Sequence, residues 1–332
     1  MIMLNHIEHE IFHWTPSHSD LAWKEVIPLK TEASTRKFWR CRTETASYIL
    51  MFSPPETELN DRFIHFGGMF KRHGVPVPTI YEFDSNRGYF LLEDVGEEDF
   101  HTQYVLGNVD QVLTLAFHTL GKIQEISDPI IPQYEQARFN YELEIFKDYL
   151  CRRLINVNTE VVQSCFDYLV TKISAIPTCT VHRDFHCKNL LVRHDPPFLG
   201  VVDYQDALVG PITYDLASLL YDCYWDHDHG TIEKQIRSFW SCVSTTEHQN
   251  ATTQQTFAIE VKLTALQRLL KAAGIFVRLW LQREQSTHLK YVLPTLRKAQ
   301  GICEEIETVR PLGLWLQRNV IPVTLHKIRR QN

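Results

Sequence analysis

The chain has 332 residues, of which 44% are apolar and 22% charged, a composition that suits one large soluble domain or two lobes. Its formal net charge of −6 supplies no basic field for a nucleic-acid partner. The eight cysteines form no CxxC pair, which argues against a disulfide framework and a structural zinc site.

The N-terminal sequence lacks the basic and apolar regions that a signal peptide has. The most apolar stretch, residues 269–281, is interrupted by Lys271 and Arg278 and is too short to span a bilayer. We therefore expect a cytoplasmic protein that has no membrane partner and is a monomer.

The first hundred residues are typical of β-strands around one helix. Residues 36–42 and 47–52 are rich in aromatic and β-branched side chains and flank a polar turn, so they predict a hairpin. Residues 60–73 predict a helix that ends before Gly74. The segments VPVPTIYEF and GYFLLE then predict two more strands.

The pattern changes to a helical one after Gly96. Apolar residues recur at helical spacing from Val109 to Ile123 and again over 138–154. Two short apolar strands follow at 189–192 and 198–203, and the long segments after them are again helical. The chain is therefore predicted to be of the α+β class, with a small β-rich N-lobe over 1–95 and a large helical C-lobe over 96–332.

The segment VHRDFHCKNLLV carries the strongest chemical signal. Asp184 in His-Arg-Asp precedes Asn189 by the spacing of a kinase catalytic loop, and Asp203 ends a strand fourteen residues later. A carboxylate such as Asp184 can accept the proton of an acceptor hydroxyl. Asn189 and Asp203 offer the hard oxygen ligands that suit Mg²⁺ on ATP phosphates. Each residue alone would suit a polar loop, but the joint spacing favours phosphoryl transfer.

The loop resembles the aminoglycoside phosphotransferase/choline kinase superfamily more than the protein kinases. His186 stands where protein kinases usually have Lys, and Tyr-Gln-Asp follows Asp203 where they have Phe-Gly. Within that superfamily, the chain resembles the bacterial anomeric kinases of N-acetylmuramate and N-acetylglucosamine. The resembling stretches are 33–42, 47–56, 89–96, 142–150, 182–192, 200–224 and 270–280.

This resemblance implies a two-lobed protein-kinase-like fold that uses ATP and Mg²⁺. It implies that Asp184 is the base and that Asn189 and Asp203 hold the metal. It also implies that Asp215 hydrogen-bonds the backbone of the catalytic loop, although the dipole of a helix start would equally suit a carboxylate there.

The nucleotide site departs from the kinase pattern, because Met51 stands where a strand lysine usually contacts the phosphates. Arg36 and Arg40 share a strand face and are the candidate substitutes, although a solvated basic face would explain them equally well. The resemblance places the adenine-binding hinge at 92–95. The predicted nucleotide-contacting residues are Ser34, Thr35, Arg36, Arg40, Glu93 and Val95.

The acceptor site is predicted from charge as well as from the resemblance, which places the later helices beside the acceptor. Segment 260–298 has eight Lys or Arg against two Glu, a wall that repels polycationic aminoglycosides and favours an anionic sugar. Arg278 is the candidate partner of a carboxylate. Asp222 could contact a sugar hydroxyl or lie on a helix surface. The candidate acceptor residues are His186, Asp206, Asp222 and Arg278.

The predicted reaction is transfer of the ATP γ-phosphate to the C1 hydroxyl of N-acetylmuramate or N-acetylglucosamine, in cell-wall sugar recycling. Two alternatives remain open. One is a kinase of another small alcohol, such as an aminoglycoside, homoserine or choline. The other is an ATP-binding regulator without catalysis, which the missing strand lysine favours and the intact set of Asp184, Asn189 and Asp203 opposes.

Overall fold

The structure, a computed structural model, describes residues 10–12, 14, 21–29, 35–194, 197–242 and 252–329. It divides into two compact units. The sheet unit comprises Met1–Glu98 and Leu190–Gln205, and the helical unit comprises Asp99–Asn189 and Asp206–Asn332. The sequence prediction had assigned the second hairpin to the helical lobe, whereas the structure groups it with the sheet unit.

The sheet unit is built on a five-stranded antiparallel sheet, whose spatial order is β1 (Glu25–Leu29), β2 (Lys37–Arg42), β3 (Ser47–Phe52), β5 (Tyr89–Glu93) and β4 (Ile80–Asp84). The predicted first hairpin is confirmed, with a register that runs from Arg42 opposite Ser47 to Lys37 opposite Phe52. Helix α1, Asn60–Arg72, lies between β3 and β4 along the chain.

Strands β3 and β5 contribute most of the apolar core of this sheet, with Leu50 and Met51 of β3 and the residues Tyr89–Leu92 of β5 buried. Met51 is 1% exposed and lies opposite Phe38 on β2 and Phe90 on β5. Helix α1 buries Phe63, Phe66 and Phe70, which recur at helical spacing. The strand position that carries a lysine in kinases is therefore a core position here.

The second hairpin, β8 Leu190–His194 and β9 Pro197–Val201, is held by contacts within the sheet unit. The backbone N–H of Val201 donates to the Pro76 carbonyl over 2.8 Å. A Cβ on Gly200 would lie 2.7 Å from that of Val95, so only glycine allows this approach. Beyond β9, the Tyr204 ring stacks on Phe63 with centroids 5.0 Å apart. These contacts fix the segment that contains Asp203.

The helical unit combines one short strand pair with a set of helices. Strands β7 Thr178–Val181 and β10 Leu208–Pro211 pair antiparallel, and β6 Glu98–Asp99 marks the boundary between the units. The helices are α2 Phe100–Val105, α3 Val109–Gln124, α4 Gln136–Ile145, α5 Gln163–Ser174, α6 Tyr214–Leu220, α7 His229–Cys242, α8 Gln254–Arg283, α9 Leu289–Glu305, α10 Arg310–Trp315 and α11 Ile321–Arg329.

Four irregular helical segments complete this unit. The π-helix Phe146–Leu154 continues α4, and a second one, Leu316–Val320, joins α10 to α11. Short 3₁₀ turns, Glu160–Val162 and Glu307–Val309, precede α5 and α10. In the described part of the chain, no helix combines the length and the apolar character that a membrane crossing requires.

Helix α8 closely approaches the junction between α4 and the π-helix that continues it, at Gly274. A Cβ at this position would lie 2.6 Å from both the nitrogen and the Cα of Phe146. These are backbone atoms of the facing helix, so the clash cannot be relieved by a change of rotamer. Gly274 therefore sets the distance between the two helices.

We expect Gly274→Ala to lower the free energy of unfolding by about 1–2 kcal/mol, measured in urea. Overpacking typically costs about 1–3 kcal/mol, which exceeds the roughly 1 kcal/mol that alanine gains over glycine in a helix. The matched control is Gly301→Ala on α9, where a Cβ meets nothing within 4 Å. That variant should be stabilised, and a stable Gly274→Ala protein would contradict the close approach.

Candidate functional site

The loop over residues 182–189 leaves β7 and is anchored by a buried carboxylate. Asp215, at the start of α6, is fully buried and accepts hydrogen bonds from the backbone N–H groups of His182 at 2.6 Å and Arg183 at 2.9 Å. Burial raises the pKa of Asp215 to about 6, against the lowering effect of these hydrogen bonds. The expected role of Asp215 in holding the loop backbone is confirmed.

The backbone of this loop is itself unusual. Arg183 has a φ of +78°, in the left-handed region that a bulky side chain rarely adopts. Such conformations cost of order 1–3 kcal/mol and persist where the surroundings over-determine them. Asp215 and the side chain of Arg268, which donates to the Arg183 carbonyl at 2.7 Å, supply that constraint.

A second buried carboxylate, that of Asp222, holds the other end of the loop. Asp222 is 1% exposed and accepts from the backbone N–H groups of Cys187 at 2.8 Å and Tyr224 at 2.7 Å. Of the two alternatives for Asp222, a position on a helix surface is wrong, because the side chain is buried and both its oxygens accept backbone hydrogen bonds. Its predicted contact with a sugar hydroxyl stays a prediction.

Asp184 lines a cavity of about 150 Å³ in the helical unit, together with His186, Asp222, Arg268 and Lys271. Burial by itself would raise the pKa of Asp184. The positive charges of Lys271, Arg183 and Arg268 outweigh it and hold this pKa well below its usual value. The carboxylate is therefore ionised at neutral pH and can accept a hydrogen bond from a bound hydroxyl.

The cations around Asp184 are fixed by partners of their own. Arg268 donates to Ser218 at 2.5 Å and lies 4.4 Å over the ring of Tyr214. Lys271 forms a 3.0 Å ion pair with Glu142 of α4. The Glu142 carboxylate is 3% exposed and also accepts from Gln267 at 3.0 Å and from Tyr134.

Arg268, Lys271 and Glu142 are not among the site residues that the sequence predicts. The available signal was the position of Lys271 in the most apolar segment of the chain, where a charge requires a buried partner. The sequence could not identify that partner, since Glu142 is 129 residues away along the chain.

The predicted metal ligands pass a test of fit from their local geometry. The amide nitrogen of Asn189 donates to the Asp184 carbonyl at 2.9 Å, which leaves its oxygen as the atom to offer a cation. Asp203, in the sheet unit, is exposed and has a φ of +65°. It accepts from the Gln205 side chain at 2.7 Å. An amide oxygen and a carboxylate are donors that Mg²⁺ prefers. Their joint binding of one metal cluster stays a prediction.

The two hairpin arginines are buried, so their interpretation as a solvated basic face is wrong. Arg36 is 5% exposed and contacts Ser53 at 3.1 Å and Glu58 at 3.3 Å. Arg40 is 7% exposed and binds both oxygens of Asp94, at 2.7 and 3.0 Å, as well as the Gly96 carbonyl at 2.7 Å. A phosphate contact from either remains a prediction and would compete with these partners.

Arg40 instead fixes the segment that the sequence predicts as the hinge. We expect Arg40→Lys to lower the free energy of unfolding by about 2 kcal/mol, because an ammonium cannot reproduce the forked pair with Asp94 in this buried setting. The control is Arg42→Lys, whose exposed pairs with Glu25 and Glu97 should contribute less than about 1 kcal/mol. Equal losses in thermal or urea unfolding would contradict a special role for Arg40.

Of the remaining predicted nucleotide residues, Thr35, Glu93 and Val95 belong to the sheet unit. Ser34 falls outside the described residues. The hydroxyl of Thr35 donates to Glu58. Glu93 accepts from the N–H and the hydroxyl of Thr79, at 3.1 and 2.7 Å, and Val95 is buried.

The predicted acceptor residues do not all line the same cavity. His186 contacts Tyr224 edge-to-face at 5.2 Å and lines the Asp184 cavity. Arg278 lines a neighbouring cavity. Asp206 lines neither of these two cavities, and its carboxylate lies 4.0 Å from the guanidinium of Arg183.

One further group of side chains has the composition of a metal site. His229, Glu233 and Glu305 present ligand atoms within 4.8 Å of one another. The ammonium of Lys262 pairs with both carboxylates at 2.7 Å. Because a cation of the protein already occupies the position between the two carboxylates, we assign no metal to this cluster.

The sequence is similar to a known protein family and to curated relatives. The model of the phosphotransferase enzyme family matches residues 25–239. The N-acetylmuramate/N-acetylglucosamine kinase of Pseudomonas aeruginosa is 30% identical over 261 residues, which are 77% of each chain.

The fold of this chain resembles those of solved structures. A choline/ethanolamine kinase family protein from Mesorhizobium loti matches with a TM-score of 0.66 at 11% identity, over 97% of this chain and 98% of its own. The ADP-bound aminoglycoside phosphotransferase APH(2'')-Ib matches with a TM-score of 0.59 at 13% identity, over 90% and 99% of the two chains. The predicted protein-kinase-like fold is confirmed.

Proposed function

Since the chain belongs to the phosphotransferase enzyme family and is a small-molecule kinase, we propose that it transfers the γ-phosphate of ATP to the C1 hydroxyl of N-acetylmuramate or N-acetylglucosamine. The reaction forms a bond between the sugar oxygen and phosphorus and breaks the bond between the γ-phosphorus and the bridging oxygen of ATP. Its products are a sugar 1-phosphate, ADP and a proton.

The observation that carries this proposal is the setting of Asp184. Its carboxylate lines a cavity and is kept ionised by three cations, and its loop is anchored by Asp215 and Asp222. A carboxylate with a low pKa is a weak base, so its main role is to accept a hydrogen bond and orient the attacking oxygen. It takes the proton as the oxygen–phosphorus bond forms. An anomeric hydroxyl is more acidic than an ordinary alcohol and needs no stronger base.

The phosphates are to be neutralised by Mg²⁺ held by Asn189 and Asp203. When bound, the metal would supply the charge neutralisation on which phosphoryl transfer depends. The amide nitrogen of Asn189 is engaged by the Asp184 carbonyl, which ties the orientation of this ligand to the backbone of the base.

The acceptor class is supported by the relatives and by charge. The relatives are named for N-acetylmuramate and N-acetylglucosamine. Asp184 and Asp222 balance Arg268 and Lys271 within the cavity itself. The segment 260–298, to which Arg268 and Lys271 belong, carries eight Lys or Arg against two Glu, and this excess disfavours a polycationic acceptor. The recycling of cell-wall sugars would give such a reaction its place in the cell.

A coupled assay of ADP release over a panel of acceptors tests the proposal. The panel contains N-acetylmuramate, N-acetylglucosamine, kanamycin, choline and homoserine, each with ATP and Mg²⁺. We expect the two amino sugars to be turned over most efficiently. Efficient turnover of another acceptor without turnover of the sugars would reject the proposed acceptor, and ADP release with none of the five would favour the non-catalytic alternative.

A further inference from the structure

A second, larger cavity lies beside the one that contains Asp184. Its volume is about 610 Å³, within the range of about 300–1,000 Å³ of sites for small molecules. The two cavities share Lys271 and Ile275 of helix α8. The two cavities therefore adjoin at these side chains, and the second is next to the place where a hydroxyl would face Asp184.

The second cavity is cationic. The residues that line it include four cations, Arg138, Arg183, Lys271 and Arg278, and two anions, Glu135 and Glu142. Four positive charges minus two negative charges leave a net charge of +2. The cavity is therefore suited to an anionic group rather than a neutral one.

Three of the four cations share one carboxylate partner, Glu142. Its carboxylate lies 3.0 Å from Lys271, 3.6 Å from Arg183 and 3.8 Å from Arg138. Among the ion pairs of the described residues, none includes Arg278. Its guanidinium lies 6.0 Å over the ring of Tyr149 and is partly exposed. Arg278 is therefore the cation of this cavity that has no carboxylate partner from the protein.

The helices hold these side chains in a fixed arrangement. Lys271, Ile275 and Arg278 are spaced i, i+4 and i+7, so they share one face of α8. Arg138 projects from α4, which approaches α8 at Gly274 within the distance described above. The cavity wall runs from Lys271, beside Asp184, to Arg278.

We infer that Arg278, assisted by Arg138, binds the carboxylate of the acceptor, which in N-acetylmuramate is that of the lactyl group. This inference rests on the proposed function and identifies the part of the site that distinguishes N-acetylmuramate from N-acetylglucosamine. A guanidinium binds a carboxylate by two parallel hydrogen bonds, which a neutral group cannot form. The same cations repel polycationic acceptors.

The test compares kcat/KM for N-acetylmuramate with that for its methyl ester, which keeps the lactyl group but lacks the charge. We expect Arg278→Ala to lower the acid-to-ester ratio about 10-fold, as for loss of one charge-assisted pair. Arg138→Ala, whose guanidinium is shared with Glu142, should lower the ratio by about threefold, and Arg278→Lys should restore part of it. N-acetylglucosamine serves as a second uncharged substrate.

Arg283→Ala is the matched control, because Arg283 is an exposed residue of the same helix that lines neither cavity. Its acid-to-ester ratio should equal that of the wild type. An unchanged ratio in Arg278→Ala, or an equal fall in Arg283→Ala, would overturn the inference while the proposed function stands. Wild-type protein that phosphorylates none of these sugars would overturn both.

Discussion

Asp184→Asn should lower the turnover number by about 10²- to 10⁴-fold, which is the usual contribution of a positioned base. The amide keeps the size of the side chain but cannot accept the proton of the acceptor. The neighbouring cations that hold the pKa of Asp184 low would lose this negative charge, although Lys271 and Arg183 would keep their pairs with Glu142. Turnover is measured by coupled ADP release, and ATP affinity by calorimetry on the same preparation.

ATP affinity should change little in this variant, since the carboxylate acts on the acceptor. The matched control is Asp167→Asn, an exposed residue of α5 in the same unit, which should retain wild-type turnover. If Asp184→Asn kept more than about a tenth of wild-type turnover, Asp184 would not be the base.

Glu142→Gln should lower the free energy of unfolding by about 3–5 kcal/mol. Its carboxylate is 3% exposed and compensates Lys271, Arg183 and Arg138. Removing one partner of a buried ionic group leaves the other charges without compensation. The resulting loss of stability is far larger than the net stabilisation that the intact group provides. The variant retains the shape of the side chain, so packing contributes little to the loss.

The control for this variant is Glu135→Gln, an exposed carboxylate that lines the same cavity. It should change stability by less than about 0.5 kcal/mol. Equal losses of unfolding free energy in the two variants would show that the buried Glu142 carboxylate stabilises the protein no more than an exposed one does.

The pH dependence of stability gives a second readout for Glu142. Burial would raise its pKa, but Lys271, the hydrogen bonds from Tyr134 and Gln267, and Arg183 lower it below its usual value. A depressed pKa contributes stability above the pKa of the unfolded chain, and that stability is lost as the pH falls through the folded value. We expect Glu142→Gln to show a shallower acid loss of stability than the wild type.

The sequence predicted the strands and the reactive loop because their signals are local. The hairpin of 37–42 and 47–52 is predicted by aromatic and β-branched residues around a polar turn. Asp184 and Asn189 are recognised by their spacing within a single loop. The predicted helix over 138–154 is observed as 136–145 followed by π-helical turns. Apolar spacing cannot separate an α-helix from a wider one over so few turns.

The rest of the site depends on contacts between distant parts of the chain. Glu142 meets Lys271, and Asp222 meets the Cys187 backbone, across separations that no local pattern encodes. The two arginines of the first hairpin illustrate the same limit. The alternation of side chains along a strand predicts that Arg36 and Arg40 share a face of the sheet. Only the fold shows that the Arg40 guanidinium is paired with Asp94.

The most direct test of the proposed function is the position of the phosphate in the product. Wild-type protein is incubated with ATP, Mg²⁺ and N-acetylmuramate, and the product is examined by phosphorus NMR with detection of the coupling to the sugar protons. We expect a single phosphate that couples to the anomeric proton, as in a sugar 1-phosphate. A phosphate coupled to a proton on any other carbon would contradict the proposed reaction.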